Sequence, residues 1–186
     1  MQSSFRNMKY QDYFFCLDTD RSGQVDWNDF SKAAGYIQKH YGWDDDEPRF
    51  QRLLESRRRF WDTMAEAMDL DEDQSVELDE FLAYFQKLAA SMEGAETVPD
   101  HALGHVHALL ESMDLDGDGH ISLEEYELYL RSLGAKAKSR QAFRKLDLNR
   151  DGIIDLEELK RLYAQWVCST DPDAPGNYLA TGRLIE

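Results

Sequence analysis

The chain has 186 residues, 42% hydrophobic and 12% aromatic, enough to bury a core as one body or two joined lobes, which excludes a disordered chain. Its net charge of −16 comes without any basic domain or stripe, which excludes a nucleic-acid partner. No run reaches the roughly 18 apolar residues of a membrane span, Met1 to Tyr10 lacks a signal-peptide core, and Cys16 and Cys168 are too few for a disulfide scaffold. A cytoplasmic, unanchored protein with reduced thiols is therefore expected.

The first element is expected to be a helix with Tyr13, Phe14 and Leu17 on its inner face. It runs into a twelve-residue segment, 18–29, with Asp18, Asp20, Ser22, the Gln24 carbonyl, Asp26 and Asp29 at positions 1, 3, 5, 7, 9 and 12. Gly23 stands at position 6, where the chain must turn sharply. Ca²⁺ takes 6–8 oxygen ligands, and this alternation lets one short loop supply them. Asp29 is one methylene shorter than Glu, so it is expected to bind through one oxygen and to tilt the site toward six-coordinate Mg²⁺.

Phe30 and Ile37 restart a helical face, and an enlarged connection follows. Asp44, Asp45 and Asp46 ahead of Pro48 mark the start of a helix that runs without proline or glycine to Met68, with Met64, Ala65 and Met68 inward. Its Arg49, Arg52, Arg57, Arg58 and Arg59 read as solvated surface balancing the acidic loops, as do Lys136, Lys138, Arg140, Arg144 and Lys145 later in the chain.

The second segment, 69–80, offers Asp69, Asp71, Asp73, the Ser75 carbonyl, Glu77 and Glu80, but has Gln74 in place of the turn glycine. A left-handed Gln costs about 1–2 kcal/mol, so weakened rather than abolished binding is expected. After a helix bearing Phe81, Tyr84 and Phe85, the residues Gly94, Thr97 and Pro99 mark a linker, 94–99, between an N-terminal pair of loops (1–93) and a C-terminal pair (100–166). His101, His105 and His107 lie in the next expected helix without a third ligand in a known pattern, and read as surface or core histidines.

The third segment, 114–125, offers Asp114, Asp116, Asp118, the His120 carbonyl, Ser122 and Glu125, with Gly119 at its turn. The fourth, 147–158, offers Asp147, Asn149, Asp151, the Ile153 carbonyl, Asp155 and Glu158, with Gly152 at its turn. Together the four segments hold 21 of the 37 acidic residues against only Arg21 and Arg150, so all the net negative charge sits in them. Carboxylates crowded this closely repel one another until divalent cations bind. Position 8 holds Val25, Val76, Ile121 and Ile154, all β-branched, which suits a short antiparallel contact between paired loops.

The whole chain resembles the sarcoplasmic calcium-binding proteins and their relatives the calexcitins, which are built from four EF-hands. The resemblance rests on Asp29 followed by Phe30, the glycine-free second loop, the long connection between the first two loops, and the tail from Asp171 through Gly176, Asn177 and Gly182. It implies an all-α fold of two EF-hand pairs, a C-terminal tail (167–186) tucked into the body, a second loop that is sometimes silent, and cytosolic Ca²⁺ and Mg²⁺ buffering. Only six methionines accompany 22 aromatic residues, which favours a packed interior over an adaptable groove. Tyr178, Leu179, Leu184 and Ile185 are expected to fill what cleft remains. Metal ions are the expected partners of a monomer, with any protein target left open. A calexcitin-like switch is the alternative, and a coelenterazine-binding or photoprotein relative stands behind it because the chain ends Leu184-Ile185-Glu186 rather than in proline. No nucleophile lies in a recognisable motif, so no enzyme activity is expected.

Overall fold

A computed structural model describes residues 2–93, 98–99, 102–135 and 138–182. The helices are α1 (Gln2–Leu17), α2 (Trp27–Tyr41), α3 (Pro48–Met68), α4 (Leu78–Ser91), α5 (Leu103–Met113), α6 (Leu123–Ser132), α7 (Ser139–Leu146) and α8 (Leu156–Cys168). Between them lie two-residue strands, β1 (Gln24–Val25), β2 (Val76–Glu77), β3 (Ile121–Ser122) and β4 (Ile153–Ile154). The all-α architecture with two loop pairs is the one expected. β1 pairs antiparallel with β2, and β3 with β4, setting Val25 opposite Val76 and Ile121 opposite Ile154. All four side chains are fully buried, so each pair contributes both backbone bonds and apolar burial between its loops.

The helices leaving the loops begin alike. Asp26, Glu77, Ser122 and Asp155 cap α2, α4, α6 and α8, and the residue three positions later closes a reciprocal capping box in each. α3 starts at Pro48 with Glu47 as its cap, so Asp44 to Asp46 lie in the preceding turn rather than in the helix.

One apolar core runs through both halves. Tyr10, Tyr13 and Phe14 of α1, Phe81 and Phe85 of α4, Tyr126 and Tyr129 of α6, and Trp166 of α8 belong to it, together with Met64, Met68 and Met113. Trp166 meets Tyr10, Tyr13 and Phe85 edge-on with ring centres 5.5, 5.4 and 4.9 Å apart, a favoured aromatic geometry. Tyr13 and Tyr129 also join the halves through hydroxyls 3.0 Å apart. Gly94 and Thr97 of the expected linker lie outside the described residues, while Val98 is buried in the shared core.

Arg57 corrects the reading of α3 as carrying a uniformly solvated arginine face. It is 1% exposed, with its guanidinium 5.1 Å from the centre of the Tyr129 ring, and burial pushes its pKa down. α3 packs against α2, α4 and α5, so a residue one step off its apolar stripe is enclosed too. Arg49, Arg58 and Arg59 do lie at the surface, paired with Glu47, Asp62 and Glu111.

Beyond α8 the tail folds back through a 3-10 helix, Pro175–Tyr178, packed on α7 and α8. Gly176 passes so close to α8 that an added Cβ would lie 2.3 Å from the Leu162 carbonyl oxygen. The buried Lys9 ammonium donates to the Ser169 carbonyl at 2.8 Å and to Asn177 Oδ1 at 3.1 Å, and Tyr126 donates to the Tyr178 carbonyl. Leu179 is buried, whereas Leu184 and Ile185 lie outside the described residues. Among the described residues, no helix is long and apolar enough to cross a membrane.

Candidate metal sites

All four loops have the same backbone shape. Position 6 is left-handed whether it is Gly23 (φ 91°), Gln74 (71°), Gly119 (84°) or Gly152 (93°). Position 4 is left-handed as well, at Arg21, Glu72, Gly117 and Arg150, with φ between 61° and 82°. The sequence carries no common signal for that second twist, because only the third loop has glycine there. The position 1 carboxylate holds the turn by accepting the position 6 N–H: Asp18 from Gly23, Asp69 from Gln74, Asp114 from Gly119 and Asp147 from Gly152, all at 2.9–3.0 Å.

The position 12 carboxylate closes each loop from the far side. Glu80, Glu125 and Glu158 each accept the position 2 N–H on one oxygen, at 2.8–2.9 Å, and the position 9 N–H on the other, at 2.8–3.3 Å. Asp29 makes the same span despite its shorter arm, accepting Thr19 N–H and hydroxyl at 2.8 Å on one oxygen and Asp26 N–H at 3.1 Å on the other. It is 2% exposed, and burial raises its pKa.

These turns gather acidic oxygens. Carboxylates of Asp18, Asp20 and Asp29 come within 4.8 Å of one another; so do those of Asp69, Asp71 and Asp73, of Asp71, Glu77 and Glu80, of Asp114, Asp116 and Asp118, and of Asp147, Asp151 and Glu158. The remaining residues singled out from the sequence line the same turns. Ser22 Oγ donates to the Gln24 carbonyl, Ser75 Oγ to Asp73 and Ser122 Oγ to Glu125, at 3.0, 2.8 and 2.7 Å. Asn149 Nδ2 donates to Asp151 at 2.9 Å, and the His120 and Ile153 amides to Asp118 and Asp151 at 2.8 and 3.1 Å. Asp147 Oδ1 is buried with no hydrogen-bond partner. A buried carboxylate oxygen without a donor is costly in itself, and a divalent cation inside the loop is the partner the donor set fits.

The sequence matches models of the EF-hand domain pair over residues 1–34 and 66–131 and of the EF hand over 140–163. It is a calcium-binding EF-hand protein. Its fold is that of the sarcoplasmic calcium-binding proteins: the amphioxus protein is 24% identical, with 96% of this chain and 97% of that one covered and a TM-score of 0.66. A Streptomyces coelicolor calcium-binding protein is 26% identical, covering 87% and 97% of the two chains with a TM-score of 0.65. The coelenterazine-binding protein of Renilla muelleri shares the fold at 18% identity, 94% coverage of both chains and a TM-score of 0.74. No curated protein sequence matches the chain.

Two features of the EF-hand protein's first pair had no sequence signal. Lys32 of α2 reaches back to Asp20, 2.7 Å away, and lowers that carboxyl's pKa, so the first loop already holds a cationic competitor. Gln24 Nε2 donates to Glu77 Oε1 at 2.6 Å, tying position 7 of loop one to position 9 of loop two, while Glu80 beside Glu77 raises the latter's pKa. Both contacts depend on how the loops fold back on their helices. Among the described residues no histidine joins a metal-capable group: His105 is buried against Tyr84, His107 is exposed, and His101 lies outside the described residues.

Proposed function

We propose that this EF-hand protein is a cytoplasmic buffer for Ca²⁺ and Mg²⁺, with the ions held by side chains at positions 1, 3, 5, 9 and 12 and by the carbonyls of Gln24, Ser75, His120 and Ile153. The observation that carries the reading is the single aromatic core shared by both halves and closed by the tail. A sensor must open a hand to expose its groove. Here opening would break the contacts of Trp166 with α1 and α4 and the Lys9 bonds to Ser169 and Asn177. Sequestration needs no such movement. The first site, with Asp29 and the competing Lys32, is the one tilted toward Mg²⁺.

One observation favours a switch: an open groove of about 410 Å³ beside the second loop, with Met68, Leu70, Tyr84 and Leu88 on its walls. A coelenterazine-type ligand finds less support, because the cavity lined by Tyr13, Phe85, His105 and Trp166 is about 20 Å³, enough for one water rather than a ring system. An environment-sensitive dye decides between buffer and switch. Ca²⁺ is expected to leave dye fluorescence close to that of the Mg²⁺ form; a several-fold rise on replacing Mg²⁺ by Ca²⁺ would overturn the buffer reading.

A further inference from the structure

The third loop differs from the others in what holds it from outside. Position 2 is Thr19 in the first loop, while Leu70 and Leu148 in the second and fourth are 74% and 37% exposed. In the third it is Leu115, which packs into a small apolar cluster separate from the main core, made by Ala34 and Ile37 of α2 and Phe50 and Leu53 of α3, with Trp43 from the turn between them. The α2–α3 hairpin belongs to the opposite EF-hand pair.

The same hairpin comes close to the loop at two further points. A guanidinium nitrogen of Arg52 lies 3.7 Å from where a Cβ on Gly117 would sit. At the loop's exit, the Tyr41 hydroxyl donates to Glu124 at 3.0 Å, and the Tyr41 ring stacks on Trp43 with centres 4.7 Å apart and planes 14° from parallel. A third tie, Arg59 to Glu111 at 2.8 Å, anchors the end of α5 just before Asp114. Thus the entry and the exit of one metal loop are braced by residues 34–59, and Arg52 lies beside its left-handed fourth position.

We propose that the α2–α3 hairpin is a clasp that sets the affinity of the third site, with Leu115 and Tyr41 as positioning residues. A loop already braced in its binding shape loses less conformational freedom when the ion enters, so the clasp favours binding. By linkage, an ion in the third site must tighten the clasp by the same factor with which the clasp tightens ion binding. The enlarged spacing between the first two loops thereby has a purpose: its extra length forms the turn and helix that reach across to the third loop.

This inference rests on 114–125 being a calcium loop, and the experiment keeps the two claims apart. The full-length protein is titrated with Ca²⁺ by calorimetry beside Glu125→Gln, which removes the third site's bidentate ligand, and Leu115→Thr, which gives the loop the residue found at position 2 of the first. Glu125→Gln is expected to remove one ion from the count; an unchanged count would overturn the loop assignment itself. Leu115→Thr is expected to keep the count and weaken one site by about tenfold, the scale of a typical coupling. Leu148→Thr, the same exchange in the fourth loop, is expected to change affinity less than twofold. An unchanged third site in Leu115→Thr, or an equal loss in Leu148→Thr, would refute the clasp. Trp43 gives a readout independent of folding: its emission, isolated by difference against Trp43→Phe, is expected to respond to Ca²⁺ in Glu158→Gln but not in Glu125→Gln, and the reverse pattern contradicts the proposal.

Discussion

His105 shows what burial does to a single side chain in this interior. Its Nδ1 lies 3.2 Å from the Tyr84 hydroxyl, its Nε2 is buried without a partner, and burial lowers its pKa from 6.5 to about 4. The folded protein therefore refuses a proton that the unfolded chain accepts, and stability is lost as pH falls from about 6.5 to about 4. The native protein is expected to lose roughly 3 kcal/mol more across that window than His105→Gln, whose side chain does not titrate. Chemical denaturation at a series of pH values checks this, and parallel curves for the two proteins would contradict it. His105 also marks the boundary of what residue types reveal. Ligand spacing is one-dimensional, so Asp114, Asp116, Asp118 and the other alternating carboxylates are legible directly, and the left-handed Gln74 follows from the glycine it replaces. The left-handed Arg21, Glu72 and Arg150 are not legible, because nothing in those side chains marks the conformation. Nor is the Lys32–Asp20 pair, which forms only once α2 lies beside the first loop.

The elements were readable wherever a local rule determines them. The helices after the loops follow from recurring apolar residues such as Phe30 with Ile37 and Phe81 with Tyr84 and Phe85, and the strand pairs from β-branched residues at position 8. Arg57 was not readable, since its burial depends on α3 being enclosed by other helices, and five nearby arginines look alike in sequence. The tail is held by contacts of another kind, with Gly176 against the α8 backbone and Asn177 under Lys9. Gly176→Ala places a methyl group where the Leu162 carbonyl and Trp166 amide already are, and is expected to cost about 1–3 kcal/mol and to speed amide exchange at Leu179. Gly104→Ala in α5 meets open space and is expected to be neutral or slightly stabilising. Urea denaturation and hydrogen exchange compare the two variants; equal stabilities would show that the tail is not held by that close approach.

At the scale of the molecule, charge and packing act on different parts. The loops concentrate the carboxylates of a chain with net charge −16, while the helices between them supply one continuous apolar core. Ion binding relieves repulsion among the loop carboxylates. What spacing alone does not convey is the contact between halves, such as Leu115 in the α2–α3 cluster or Tyr13 against Tyr129, because it depends on three-dimensional packing of distant segments. We propose that all four loops hold Ca²⁺, including the second, where Asp69, Asp71, Asp73, Glu77 and Glu80 surround a left-handed Gln74. Calorimetric titration of the metal-stripped protein with Ca²⁺, repeated in millimolar Mg²⁺, tests it most directly. Four bound ions are expected, with one affinity lowered by Mg²⁺ more than the rest and that difference abolished in Asp29→Glu; three ions or fewer, with no loss on Glu80→Gln, would contradict the account.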